Sequence, residues 1–211
     1  MSPCYDLENK VRPLMASQYG GGVFPTFNPS GVIPPFASGN PAAPGGSPYS
    51  TTLTTIVHQL GGTPERRTLI AGLIAYRDAL RAAGITTGFQ LIDGSFTENS
   101  ELINERPPGD IDLVTFAHLP VPPPEVPAFA AANAALFNMA ETKQIYRCDA
   151  YFVDLSKDPR LLLDETFYWY GLFSHQRITH NWKGMLKVPL IADDIAASAL
   201  LGGVEGRANG P

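Results

Sequence analysis

Two carboxylates two residues apart, set into an apolar run, most narrowly limit what this chain can become. Residues 110–116 read Asp-Ile-Asp-Leu-Val-Thr-Phe. Alternate residues of a β-strand share a face, so Asp110 and Asp112 are expected to project together while Ile111 and Leu113 turn to a core. Neighbouring carboxylates repel, and keeping both ionised is costly. A divalent cation relieves that cost. Oxygen-only ligation suits Mg2+, which takes one or two carboxylates together with phosphate oxygens.

The preceding segment supplies a complement. Residues 89–93 form an apolar, strand-like run ending at Asp93, and Gly94-Ser95 follow at once. Glycine lets an anion approach the backbone, and the unpaired amides at the start of a helical turn attract negative charge. Residues 95–103 are expected to turn into a short helix or loop. Pro107-Pro108-Gly109 then resets the chain before the second strand. An anion cradle beside a carboxylate pair is what metal-assisted nucleotidyl transfer requires.

With 211 residues and 44% hydrophobic content, the chain can enclose a sizeable core. Its 20 glycines and 20 prolines cluster, which assigns them to loops. Residues 1–50 read as an irregular Gly/Pro-rich arm that packs on the domain at 24–36, with a flexible loop near 41–47. A net charge of −5 weighs against long nucleic acids as partners. Cys4 and Cys148 make neither a disulfide framework nor a zinc site, and Cys148 reads as a buried reduced thiol. No apolar run reaches membrane-spanning length and no signal-peptide pattern opens the chain, so a cytoplasmic protein is expected.

Between these landmarks, residues 51–60 read as a short helix. Thr63-Pro64 reads as a cap and first turn, opening a helix that carries Leu69, Ile70, Leu73, Ile74, Tyr76 and Leu80 and ends at Gly84. Arg66, Arg67, Arg77 and Arg81 are expected mostly on its solvated face, with a phosphate contact by one of them as the alternative. The proline-rich residues 121–127 cannot be a central strand. Residues 128–141 read as one helix, 143–147 as a connector and 149–154 as a third strand. The aromatic residues 167–173 read as strand-like, 174–182 as a turn between strands, and 183–190 as the last strand. The tail 191–211 is expected to begin with a short helix and end disordered. The whole is an α+β fold with a small mixed or antiparallel sheet flanked by helices, its domain spanning 51–190.

Gly94-Ser95 followed by Asp110-x-Asp112 resembles the signature of the polymerase-beta-like nucleotidyltransferase superfamily. The order of further segments resembles a group of small bacterial nucleotidyltransferase-like proteins of unassigned function. Those segments are Gly31 to Pro35, Arg66-Arg67, Asp93-Gly-Ser-Phe96, Cys148-Asp-x-Tyr-Phe-Val153, Trp169-Tyr-Gly-Leu-Phe173 and the Lys183-Gly strand, across residues 31–190. The resemblance implies a third carboxylate on an adjacent strand. Asp149 is preferred because it opens an apolar strand and can face the pair, with Asp154 as the alternative. It further implies that Asp110, Asp112 and Asp149 hold Mg2+ or Mn2+, with Asp149 also acting as base. Gly94 and Ser95 would hold the triphosphate, with Lys183 or Lys187 adding a cation. The implied reaction moves a nucleoside monophosphate from a nucleoside triphosphate to a small molecule, a protein or an RNA end. The competing expectation is a catalytically weak binding or regulatory protein, such as one member of a toxin–antitoxin or antiphage pair. The short chain leaves little room for an acceptor-binding domain, so a partner protein is a candidate to supply one.

Overall fold

A computed structural model describes residues 22–38, 40–41 and 45–208, with side chains described as far as residue 202. The expected disorder of the last residues and the middle of the expected 41–47 loop, residues 42–44, lie outside the described residues. In chain order the elements are β1 (Tyr49–Ser50), α1 (Leu53–Leu60), α2 (Pro64–Ala82), β2 (Gly88–Asp93), α3 (Ser100–Ile103), β3 (Ile111–Ala117), α4 (Val126–Ala132), α5 (Ala134–Phe137), α6 (Met139–Tyr146), β4 (Cys148–Asp154), α7 (Pro159–Phe173), β5 (Leu186–Pro189) and α8 (Asp194–Ala208). This is an α+β fold around a five-stranded sheet of order β1-β5-β2-β3-β4. The sheet is mixed. β2 runs antiparallel to both β3 and β5, whereas β3–β4 and β1–β5 are parallel.

Alternation along the strands sorts side chains into two cores. Ile92, Ile111, Leu113, Cys148, Ala150, Leu186 and Val188 join the larger one, with the apolar stripes of α1 and α2 and Ala197 of α8. Leu91, Val114, Phe116, Val153 and Met185 face the other way, against Trp169 and Phe173 of α7. Each fully buried side chain of this kind contributes about 1.5–3 kcal/mol. Caps set the helix starts as expected. The Thr63 side chain accepts the Arg66 amide at 3.3 Å, with Pro64 in the first turn. Among the described residues no helix is long and apolar enough to cross a membrane.

The arm packs where expected, through buried Phe24, Val32 and Ile33. Its end, Tyr49–Ser50, goes further and becomes an edge strand of the sheet. The expected helix over 128–141 is instead α4, α5 and α6, interrupted at Asn133 and Asn138. Asn138 accepts the amides of Ala140 and Glu141, restarting the helix, so Lys143 belongs to α6 rather than to a connector. Residues 167–173 are helical, not strand. The Asp158 side chain accepts the Arg160 amide at the start of α7, and the aromatic run buries only Trp169 and Phe173, at the i, i+4 spacing of a helix face. The turn at 174–182 therefore joins a helix to a strand, and the last strand shrinks to Leu186–Pro189.

Two of the arginines of α2, Arg66 and Arg77, differ from expectation, whereas Arg81 is exposed as expected. Arg77 is 1% exposed. It donates to Asp194 at 2.6 Å, to Gln90 at 2.8 Å and to the Pro189 carbonyl at 2.7 Å, and so ties α2 to the sheet and to the start of α8. Arg77→Met would take from the buried Asp194 carboxylate its buried partner and leave it the exposed Arg81 at 3.1 Å, and we expect a loss of up to about 3–5 kcal/mol in urea unfolding. Arg77→Met with Asp194→Asn should recover part of that loss.

Candidate active site

Sheet register brings the acidic residues together. Asp93 at the end of β2 pairs with Asp112 of β3, and Asp112 pairs with Asp149 of β4. Paired residues point to the same face, so three aspartates on three adjacent strands lie in one row on the α7 side. Asp110 stands at the entrance to β3. Asp112 is raised above the ordinary aspartate range, by burial first and then by Asp110 and Asp149. Asp154 pairs with Ala117 at the far end of β4, and its carboxylate accepts the Ser156 amide at 2.9 Å. Asp149 is therefore the β4 carboxylate that joins Asp112, and Asp154 caps a turn.

Gly94 presses against this row. Its φ is +79°, and a Cβ built there would stand 1.8 Å from Asp112 Oδ2. Only glycine can both take that conformation and leave room for the carboxylate. Gly94–Thr97 forms a single 3-10 turn, with Ser95 half-buried at its second position. That turn is braced from several sides. Arg66, 4% exposed, donates to the carbonyls of Phe96 at 2.8 Å and Glu98 at 2.5 Å while gripping Glu101 at 2.7 Å. Arg66 thus serves the backbone of the turn rather than a solvated face.

Lys183 is the other brace. It is 2% exposed, and its Nζ reaches Asp93 at 3.1 Å, Glu98 at 2.8 Å and the Gly94 carbonyl at 3.0 Å. Burial works against its charge, but Asp93 and Glu98 more than offset that, and its pKa is raised. Burial pushes Asp93 up to about 7, against the opposing pull of Lys183. The expected triphosphate cation is therefore spoken for beneath the turn. Lys187 is also engaged, with Nζ 4.2 Å from the centroid of the Phe89 ring.

Two cations border the row. Lys143 Nζ lies 2.5 Å from Asp110 Oδ2, and that bond, together with the fields of Asp149 and Asp112, raises its pKa. Arg177, exposed on the turn after α7, lowers the Asp112 pKa through its charge. Among the described residues no group of three or more His, Cys, Asp or Glu is already arranged to hold a metal ion. The donor set still fits one. It is all oxygen, and its carboxylates Asp93, Glu98, Asp110, Asp112 and Asp149 outnumber Lys143, Lys183 and Arg177; at Asp112 the charges of Asp110 and Asp149 add to a shift that burial begins. Sequence reasoning missed Asp93 and Glu98 as members of the cluster, and Lys143 and Arg177 as its border. For Asp93 the signal was present, since it directly precedes Gly94-Ser95.

Fold and site together define an α+β protein with an aspartate row at one end of a mixed sheet and a glycine turn pressed on it. Over residues 25–189 the chain matches the model of a family of unknown function, DUF6932, and it belongs to that family. No curated protein and no solved structure matches it.

Gly94→Ala is expected to lower stability by about 1–3 kcal/mol through strain and the clash with Asp112. Gly109→Ala, with open space around it, should stay within about 0.5 kcal/mol of the parent. Equal unfolding midpoints for the two would contradict the packing described. Lys183→Met leaves Asp93 and Glu98 buried without their cation, at a cost of about 3–5 kcal/mol. A carboxyl whose folded-state pKa is raised loses stability as pH rises through that pKa. The Lys183→Met deficit should therefore be larger at pH 8 than at pH 5, read from urea curves at both.

Proposed function

We propose that the protein is a Mg2+-dependent nucleotidyltransferase of the polymerase-beta-like kind, in which an acceptor hydroxyl attacks the α-phosphorus of a nucleoside triphosphate, the bond to the β-phosphate breaks and pyrophosphate leaves. One observation carries this reading: Asp112 and Asp149 pair in register, with Asp110 at the strand entrance and Gly94 packed on Asp112. Asp110, Asp112 and Asp149 are the residues that would hold Mg2+ or Mn2+. Such an ion, when bound, supplies charge neutralisation at the phosphoryl oxygens. The amides of Gly94 and Ser95 orient the triphosphate. Asp149 takes the proton from the acceptor oxygen. Lys183 acts beneath, keeping the turn in place, and Arg177 faces the site from the rim. The protein's work in such a reaction is positioning and electrostatic stabilisation.

Small molecules, a protein side chain or an RNA end fit as acceptors. A partner protein that presents the acceptor, and a cytoplasmic location where nucleotide and Mg2+ abound, go with this reading. The second reading, a catalytically weak binding or regulatory member of a toxin–antitoxin or antiphage pair, is favoured by the Lys143–Asp110 ion pair, which already satisfies one of the three carboxylates.

Calorimetry with a nonhydrolysable triphosphate should show binding that needs Mg2+ and is lost, by tenfold or more, in Asp112→Asn. Because Asp112 holds its proton more tightly than an ordinary aspartate, Mg2+ affinity should fall on acidification sooner than for an unshifted carboxylate. Label from α-labelled triphosphate should appear on an acceptor in a cell extract. Binding without any transfer would select the second reading. Equal binding by parent and Asp112→Asn would refute the site itself.

A further inference from the structure

One surface beside the aspartate row is left unused by the chemistry above. Tyr151 follows Asp149 by two residues on β4 and so shares its face, about 6.6 Å further along the strand. The Trp169 ring of α7 lies 4.6 Å from that of Tyr151, and the Tyr168 ring stands 5.1 Å from Trp169, edge-on at 82°. Trp169 is 7% exposed and is held from behind by Phe173 at 5.4 Å. Tyr168 is 63% exposed. The Tyr151 hydroxyl is raised by burial first, and then by Asp149, Asp112 and Tyr168, which puts both phenols in the same electrostatic neighbourhood as the carboxylates.

A large aromatic ring left this open gains nothing for the fold. Its ring contact with Trp169, and that of Trp169 with Tyr151, tie it to the strand that carries Asp149. In a nucleotide the ribose separates the base from the α-phosphate by a distance comparable to the step from Asp149 to Tyr151. We propose that Tyr168 and Tyr151, with Trp169 fixed between them, form a stacking platform for the nucleobase of a bound nucleotide. The platform deepens the transferase reading by naming where the base rests, although a base can stack there whether or not the carboxylates take a metal. Stacking accepts any base because every base has a π-face. The platform therefore sets affinity and orientation and contributes little base preference. Tyr168 is a positioning residue here, not a catalytic one.

The full chain can be tested with two probes that separate platform from phosphate site. The first probe is free adenosine, guanosine, cytidine and uridine without phosphate, followed by saturation-transfer NMR and tryptophan fluorescence. The second is Mg2+ with tripolyphosphate, which has no base. Nucleosides should bind the parent and Tyr168→Phe alike and bind Tyr168→Ala roughly five- to 150-fold more weakly. Tripolyphosphate should bind parent and Tyr168→Ala equally. Tyr168 is exposed, so its replacement does not threaten the fold. Nucleosides that bind Tyr168→Ala as well as the parent, or that bind neither protein, would overturn the platform. Tripolyphosphate binding indifferent to Asp112→Asn would instead sink the transferase reading, and leave the platform standing if nucleosides still depend on Tyr168.

Discussion

Aspartates from three neighbouring strands stand at one level of the sheet, and the cost of holding those charges side by side governs the construction around them. Asp93, Asp112 and Asp149 reach the same end because β2 runs antiparallel to β3 and finishes where β3 and β4 begin. Lys183 neutralises the innermost of them, and in doing so it also takes the Gly94 carbonyl. A charge brought in to make Asp93 tolerable thereby fixes the turn that presses on Asp112. Glu98 joins the same ammonium and is in turn held by Gln176 at 3.1 Å, so the segment after α7 is tied to the turn as well. The acidic row, the glycine turn and the last strand are thus one electrostatic unit.

The two sides of the sheet are unequally covered, and this positions the site. One face is filled by α1, α2 and α8 with the arm's Phe24 and Ile33, a continuous core. Among the described residues the other is covered by α7, through Trp169 and Phe173. The aspartate row lies at the end of that face, with Asp93 buried and Asp112 and Asp149 half-buried. Buried arginines reinforce the covered side. Arg77 satisfies backbone carbonyls at the end of β5 as well as Asp194, and Arg66 satisfies carbonyls of the turn, each converting a long polar side chain into a strut. An isolated buried guanidinium would be costly, but each of these has a carboxylate and at least two further acceptors.

The central strands were legible because two-residue alternation and a half-buried sheet are the same fact. Residues 89–93 and 110–116 announce an inner and an outer face, and the structure realises both. The preference for Asp149 over Asp154 could rest only on its place at the opening of the strand, because the pairing with Asp112 depends on register with β3, which no local pattern encodes. The aromatic stretch of α7 misled for a related reason. Phe-Tyr-Trp-Tyr has strand-like composition, yet the Asp158-Pro159 start favours a helix, and a helix can leave Phe167, Tyr168 and Tyr170 exposed while burying Trp169 and Phe173. Arg66 and Arg77 looked solvated because long polar residues usually are. Their acceptors come from residues 13 to 117 positions away, most of them beyond the reach of a local window. Lys143 was placed in a connector because the restart of the helix at Asn138 was not weighed.

Lys143 brings out what separates a carboxylate pair from an ion site. Asp93 has its counterion inside the protein, and that counterion cannot leave without unfolding the turn. Asp110 has its counterion on an exposed side chain of a short helix, where the ammonium is free to depart into water. The charge balance of the row is therefore permanent at its inner end and exchangeable at its outer end. Surface ion pairs of this kind are worth at most about 1 kcal/mol. On the transferase reading proposed above, a divalent ion bringing its own phosphate ligands would have only that small contact to displace at Asp110, and would also ease the repulsion that Asp110 and Asp149 add to the burial of Asp112. On that reading the outer end of the row is where the protein's own charges would give way to a ligand.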